Sequence, residues 1–133
     1  NKNAFAVYQN TGTDADGTSL DGEQVYTLTF PAGQQPPVDA FWSVTVYDED
    51  GYLTGNALDR YALGSNSGLV TAPDGSTTLT FSHTLPPGVP QANWLPTPAS
   101  PFQLTLRMYA PDPAITDGTW SAPDPVHVVS TGL

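Results

Sequence analysis

No cysteine occurs anywhere in the 133 residues. That absence excludes a thiolate nucleophile, a thiolate-bound metal centre and a disulfide framework. Basic residues are almost as scarce: Lys2, Arg60 and Arg107 stand against 13 acids, a formal net charge of −10. A nucleic-acid interface needs a basic stripe to neutralise phosphates, and three scattered cations cannot form one. An anionic membrane surface repels such a chain for the same reason. No apolar run approaches the roughly 20 residues of a membrane span, so membrane insertion is not expected. Histidine is limited to His83 and His127, which lack the close spacing of a zinc or copper pair. No Gly-x-Ser-x-Gly elbow is present, and no catalytic residue is assigned.

What the chain does have is punctuation. Fourteen prolines and 12 glycines are spread along it and cut it into short segments. Asp-Gly recurs at Asp16-Gly17, Asp21-Gly22, Asp50-Gly51, Asp74-Gly75 and Asp117-Gly118, a dipeptide suited to turns with positive φ. Between the turns lie runs of period two. Val25–Phe30 puts Tyr26, Leu28 and Phe30 on one face; residues 40–48 put Trp42, Val44 and Val46 on one face against Phe41, Ser43, Thr45 and Tyr47. Residues 102–110 set Phe102, Leu104, Leu106 and Met108 against Gln103, Thr105, Arg107 and Tyr109. Residues 77–83 alternate Leu79, Phe81 and His83 with Thr78, Thr80 and Ser82, and residues 125–130 read as a closing strand. Such alternation means one buried and one wet face. The expected fold is all-β: one domain over 1–133, an antiparallel β-sandwich of jelly-roll type with core space for its fourteen aromatic residues. At most a turn or two of helix is expected, over residues 57–63.

Residues 86–101 carry six prolines around Asn93-Trp94-Leu95. Proline cannot donate to a ladder, so an ordered extended loop is expected. Trp94 then either plugs one end of the sandwich or forms an aromatic platform beside a cleft.

Several runs resemble a known family when taken in order. They are residues 36–48, from Pro36-Pro37-Val38 to Val46-Tyr47-Asp48, then Asp50-Gly51-Tyr52-Leu53 and Asp59-Arg60-Tyr61-Ala62-Leu63-Gly64. Asn93-Trp94-Leu95-Pro96, residues 102–109 and Asp117-Gly118-Thr119-Trp120 complete the set. The chain resembles the bacterial family of domain of unknown function 1214 over nearly its whole length. The resemblance implies a jelly-roll-like sandwich, a place in the C-terminal part of a longer precursor behind an upstream domain, and no established activity. It also implies a further basic residue after Gly64, where this chain has Ser65-Asn66.

Candidate ligand-binding residues are Arg60, Tyr61, Asn93, Trp94, Arg107 and Tyr109. With so few cations, each arginine is expected to be placed for a purpose: a carboxylate fork with Asp39, Asp48 or Asp117, or a grip on a carboxylate or hydroxyl-rich ligand. Asp14, Asp16, Asp21 and Glu23 are candidate calcium ligands, since alternating carboxylates suit an oxygen-ligand ion. The EF-hand spacing is not met, and turn capping competes as an explanation. Otherwise no cofactor is expected. The leading expectation is a non-enzymatic module of an exported protein, extracellular or periplasmic, binding a small ligand or glycan. A structural subunit of an extracellular assembly is the alternative, and a glycan hydrolase the third. Val25–Phe30 and residues 77–83 contain no proline or lysine; at a sheet edge, either would invite a neighbouring subunit. Residues 4–8 are the segment expected to add as a strand, to this domain, a second copy or an upstream domain.

Overall fold

The computed structural model describes residues 6–53, 55–56 and 60–128. Eight strands run β1 Ala6–Thr11, β2 Val25–Phe30, β3 Val38–Asp48, β4 Ala62–Gly64, β5 Thr77–Ser82, β6 Trp94–Pro96, β7 Phe102–Pro111 and β8 Val126–Val128. One short helix, α1 Pro113–Thr116, follows β7, with Asp112 capping it through the backbone N–H of Ala114. The expected turns of helix at residues 57–63 fall partly outside the described residues, and their end is strand β4. The closing strand is likewise described only as Val126–Val128.

The strands form two four-stranded sheets, β1-β7-β3-β4 and β6-β5-β2-β8. All pairings are antiparallel except β5 with β6. Rings meet across the sheet-to-sheet gap, Phe30 against Trp42 at 5.1 Å and Tyr26 against Phe102 at 5.8 Å. The chain is therefore a β-sandwich. Tyr26, Leu28, Phe30, Trp42, Val44, Val46, Leu104, Leu106 and Met108 are all buried, as their alternation requires.

Four of the Asp-Gly turns have glycine at positive φ, namely Gly17, Gly51, Gly75 and Gly118. Gly22 is there for another reason: a Cβ would sit 1.5 Å from the Pro98 carbonyl oxygen. The proline-free strands β2 and β5 are both interior, so neither offers the docking edge they would have made outside the sheet. β1 begins in the described residues at Ala6 and adds antiparallel to β7; Ala4 and Phe5 lie outside them. His83 follows the last residue of β5 and is exposed, whereas its in-phase position pointed to partial burial.

Leu106→Ala should destabilise the chain by about 2–5 kcal/mol, because a buried side chain between the sheets leaves a cavity. Urea unfolding measures this. A loss below about 1 kcal/mol would contradict the burial of Leu106 between two packed sheets.

Candidate functional site

A narrow cleft opens between the sheets. Lined by Leu28, Phe30, Val44, Leu104 and Leu106, it amounts to about 20 Å³, room for a water at most. The six ligand candidates divide between two places outside this cleft.

Arg60, Asn93 and Trp94 belong to the anchoring of the proline-rich segment, and Tyr61 lies next to Arg60. That segment is more structured than a loop: a 3-10 turn at Gln91–Asn93 leads into β6, which pairs in parallel with β5. Asn93 is buried and its amide is fully engaged. It accepts from the Val70 N–H at 2.8 Å and donates to the carbonyls of Val70 at 2.8 Å and Thr78 at 3.0 Å. The half-buried Trp94 donates its indole N–H to the hydroxyl and carbonyl of Ser82. Arg60 donates to the backbone carbonyls of Gln91 and Trp94, while Asn56 brackets the Arg60 peptide. The Tyr61 carbonyl accepts from Val46. Ser65, where the family resemblance implied a basic residue nearby, holds the Trp42 N–H at 3.1 Å.

Arg107 and Tyr109 stand elsewhere, on the outward face of the β1-β7-β3-β4 sheet. Register places Tyr8 and Ser43 on either side of Arg107, and Phe41 beside Tyr109. The guanidinium donates to Thr45 Oγ1 at 3.1 Å and to the Tyr47 hydroxyl, and it lies 5.4 Å from the Tyr8 ring centroid. Phe41 and Tyr109 stack at 4.3 Å, and Thr105 donates to Asn10 Oδ1 at 2.8 Å. Tyr8 is 61% exposed, so its ring is presented to solvent. The Tyr47 hydrogen bond raises the Arg107 pKa above its ordinary value, outweighing the opposing effect of burial.

The carboxylate fork expected for the arginines is not what the structure shows. Among the described residues, Arg107 is held by hydroxyls and aromatic rings, and Arg60 by carbonyls. The reason lies in the turns. Asp48 accepts from the N–H groups of Asp50 and Tyr52, Asp117 from Thr119, and Asp39 is exposed on β3. Two of the four calcium candidates are occupied in the same way: Asp14 accepts from the N–H groups of Asp16 and Thr18, and Asp21 from that of Glu23. Among the described residues no group of three acids or histidines is gathered to hold a metal.

Tyr8, Phe41 and Tyr47 were not on the candidate list, though all have outward parity or exposure. The missing signals were two long-range pairings, β1 with β7 for Tyr8 and β3 with β7 for Phe41 and Tyr47, neither of which is a local property.

The family model described as "Protein of unknown function (DUF1214)" matches residues 5–113. The VPA0106 protein from Vibrio parahaemolyticus has a similar solved structure, with 32% identity and a TM-score of 0.83 over 95% of this chain. An uncharacterised protein from Burkholderia cenocepacia shares the fold at 21% identity, with a TM-score of 0.57 over 96% of this chain. The chain spans about a third of the length of these solved relatives, 31% and 32% respectively. No curated protein matches it.

Arg107→Met should cost roughly 1–2 kcal/mol, the scale of two hydroxyl hydrogen bonds and a cation–π contact. It should stay below the ~3–5 kcal/mol of a broken buried ion pair and change little with salt. Urea melts at low and high ionic strength measure both. A larger, salt-sensitive loss would reveal a carboxylate partner.

Proposed function

We propose that this chain, which belongs to the DUF1214 family, is a non-enzymatic binding module of an exported protein that takes a small hydroxyl-rich ligand or glycan. The supporting observation is the outward constellation of Tyr8, Tyr47 and the Phe41–Tyr109 stack around Arg107. Aromatic faces receive the apolar faces of sugar rings, and neighbouring hydroxyl, amide and guanidinium groups fix ring orientation. The rings stand on three paired strands, so the platform is already formed before a ligand arrives. The Trp94 region supports binding less well, because its polar groups already hold the strap.

Titration with mono- and disaccharides, followed by amide chemical shifts, should perturb β1, β3 and β7 together. Tyr8→Ala should weaken binding roughly tenfold, the scale of one aromatic contact. Shifts confined to residues around Trp94 would move the site and overturn this assignment.

Assembly has one specific observation in its favour. β4 and β6 are edges of three residues each, β6 ending in Pro96, and β8, described over Val126–Val128, is preceded by Pro125. β1 is an edge of six residues without charge or proline. Two copies could pair there without bringing acids together. Gln9→Lys and Gln9→Glu should each be monomeric by light scattering, and their equimolar mixture should associate if β1 pairs with β1. A wild-type monomer at all concentrations removes the assembly reading.

A further inference from the structure

We infer that the ligand of the outward sheet face carries a carboxylate, and that Arg107 is the group selecting it: the face is built for an acidic sugar of the uronate type. This rests on the ligand-binding reading of the same face and names its substrate class. The first ground is the distribution of charge. The chain has 13 acids, yet none occupies an outward position of β3 from Phe41 to Tyr47, of β7 from Gln103 to Tyr109, or of β1 at Tyr8 and Asn10. Among the described residues Arg107 is the cation on this stretch of the face, and the hydroxyls and rings that touch it orient it without neutralising it.

The second ground is donor arithmetic. A guanidinium has five N–H donors, and among the described residues Arg107 gives one from Nη1 to Thr45 and one from Nη2 to Tyr47. Donors remain for a two-pronged grip on a planar carboxylate, the geometry in which arginine is strongest. Thr45 and Tyr47 fix the guanidinium from its own sheet, so little side-chain freedom is lost when an anion binds. The third ground is neighbourhood. The guanidinium lies over the Tyr8 ring, whose exposed remainder gives a sugar an apolar surface to pack against while its carboxylate meets the free edge of Arg107.

The net charge limits the ligand further. A chain at −10 repels a long polyanion, while a single carboxylate at contact distance mainly feels Arg107, because more distant charges are screened beyond about 8 Å. Monomeric or short ligands with one carboxylate are therefore favoured over acidic polymers.

The test is isothermal or NMR titration of the whole chain with glucuronate, galacturonate, their neutral parents glucose and galactose, and acetate. Uronates should bind about tenfold or more tightly than the parent sugars, acetate more weakly than either uronate, and the preference should vanish in Arg107→Met with unchanged circular dichroism. Equal affinity for acidic and neutral sugars would overturn the inference and leave the sugar-binding reading standing. A preference that survives in Arg107→Met would overturn the role of Arg107. Failure of every sugar to perturb the face would remove both readings. Should the variant unfold, the wild-type Arg107 Nε–H signal decides: it must shift more with glucuronate than with glucose, and an equal shift overturns the inference.

Discussion

Two adjacent rungs of the β3–β7 ladder set the terms for the rest of the molecule. Val44 faces Leu106 and Ser43 faces Arg107. The pleat sends the first pair into the core and the second outward, so one register decides both core and candidate site. A slip of one residue would turn the Arg107 guanidinium toward Phe30 and Leu28 and expose Leu106. Burying a charge without a partner costs several kcal/mol, and exposing a leucine adds to that. The pairing is thus enforced from both faces at once. β1 then adds to the free side of β7 in the one register that sets Tyr8 opposite Arg107.

The second sheet depends on a different device. β6 runs parallel to β5, and a parallel partner requires the chain to cross back before it pairs. Residues 83–93 make that return, with prolines limiting the conformations they must choose among. Asn93 closes it: one buried amide satisfies two carbonyls and one N–H from separate segments. Arg60 then ties the segment before β4 onto the same strap through two carbonyls. Neutral carbonyl partners make this tie insensitive to the state of the acids around it. The two arginines are both structural in their local contacts, but only Arg107 sits among aromatic rings on an open sheet face.

Much of this was legible in the residues. Alternation in β2, β3 and β7 identified the nine core residues, and with that of β5 the sandwich, since period two at strand length has few other physical meanings. Asp-Gly located the turns, and the family resemblance agrees with the match over residues 5–113. The site was legible only in part. Arg107 and Tyr109 were found from strand parity, but grouping them with Arg60 and Trp94 required a proximity that parity cannot supply. Tyr8 could be joined to Arg107 only by a pairing between opposite ends of the chain. The strand β6 was hidden by its prolines, which argue against a ladder yet are tolerated on a short edge. Asn93, a ligand-binding candidate from the sequence, is buried with its amide engaged by Val70 and Thr78.

The arginines also show how an acidic chain handles its few cations. The capping carboxylates Asp14, Asp48, Asp74 and Asp117 are turned back on nearby backbone N–H groups and hydroxyls. The Ser76 hydrogen bonds to Asp74 and the Thr119 hydrogen bonds to Asp117 hold those two pKa values below the usual carboxylate range. Each depressed carboxylate favours the folded turn above its unfolded pKa, and that contribution is lost as pH falls through its folded value. Asp74 and Asp117 are thereby stabilised as anions by neutral donors in their loops, without an arginine. Among the described residues Arg60 and Arg107 are then held by carbonyls, hydroxyls and rings, and the sheet register sets Arg107 on the outward face. A guanidinium so placed keeps both its charge and part of its donor set, which is the condition for selecting an anionic ligand from solution.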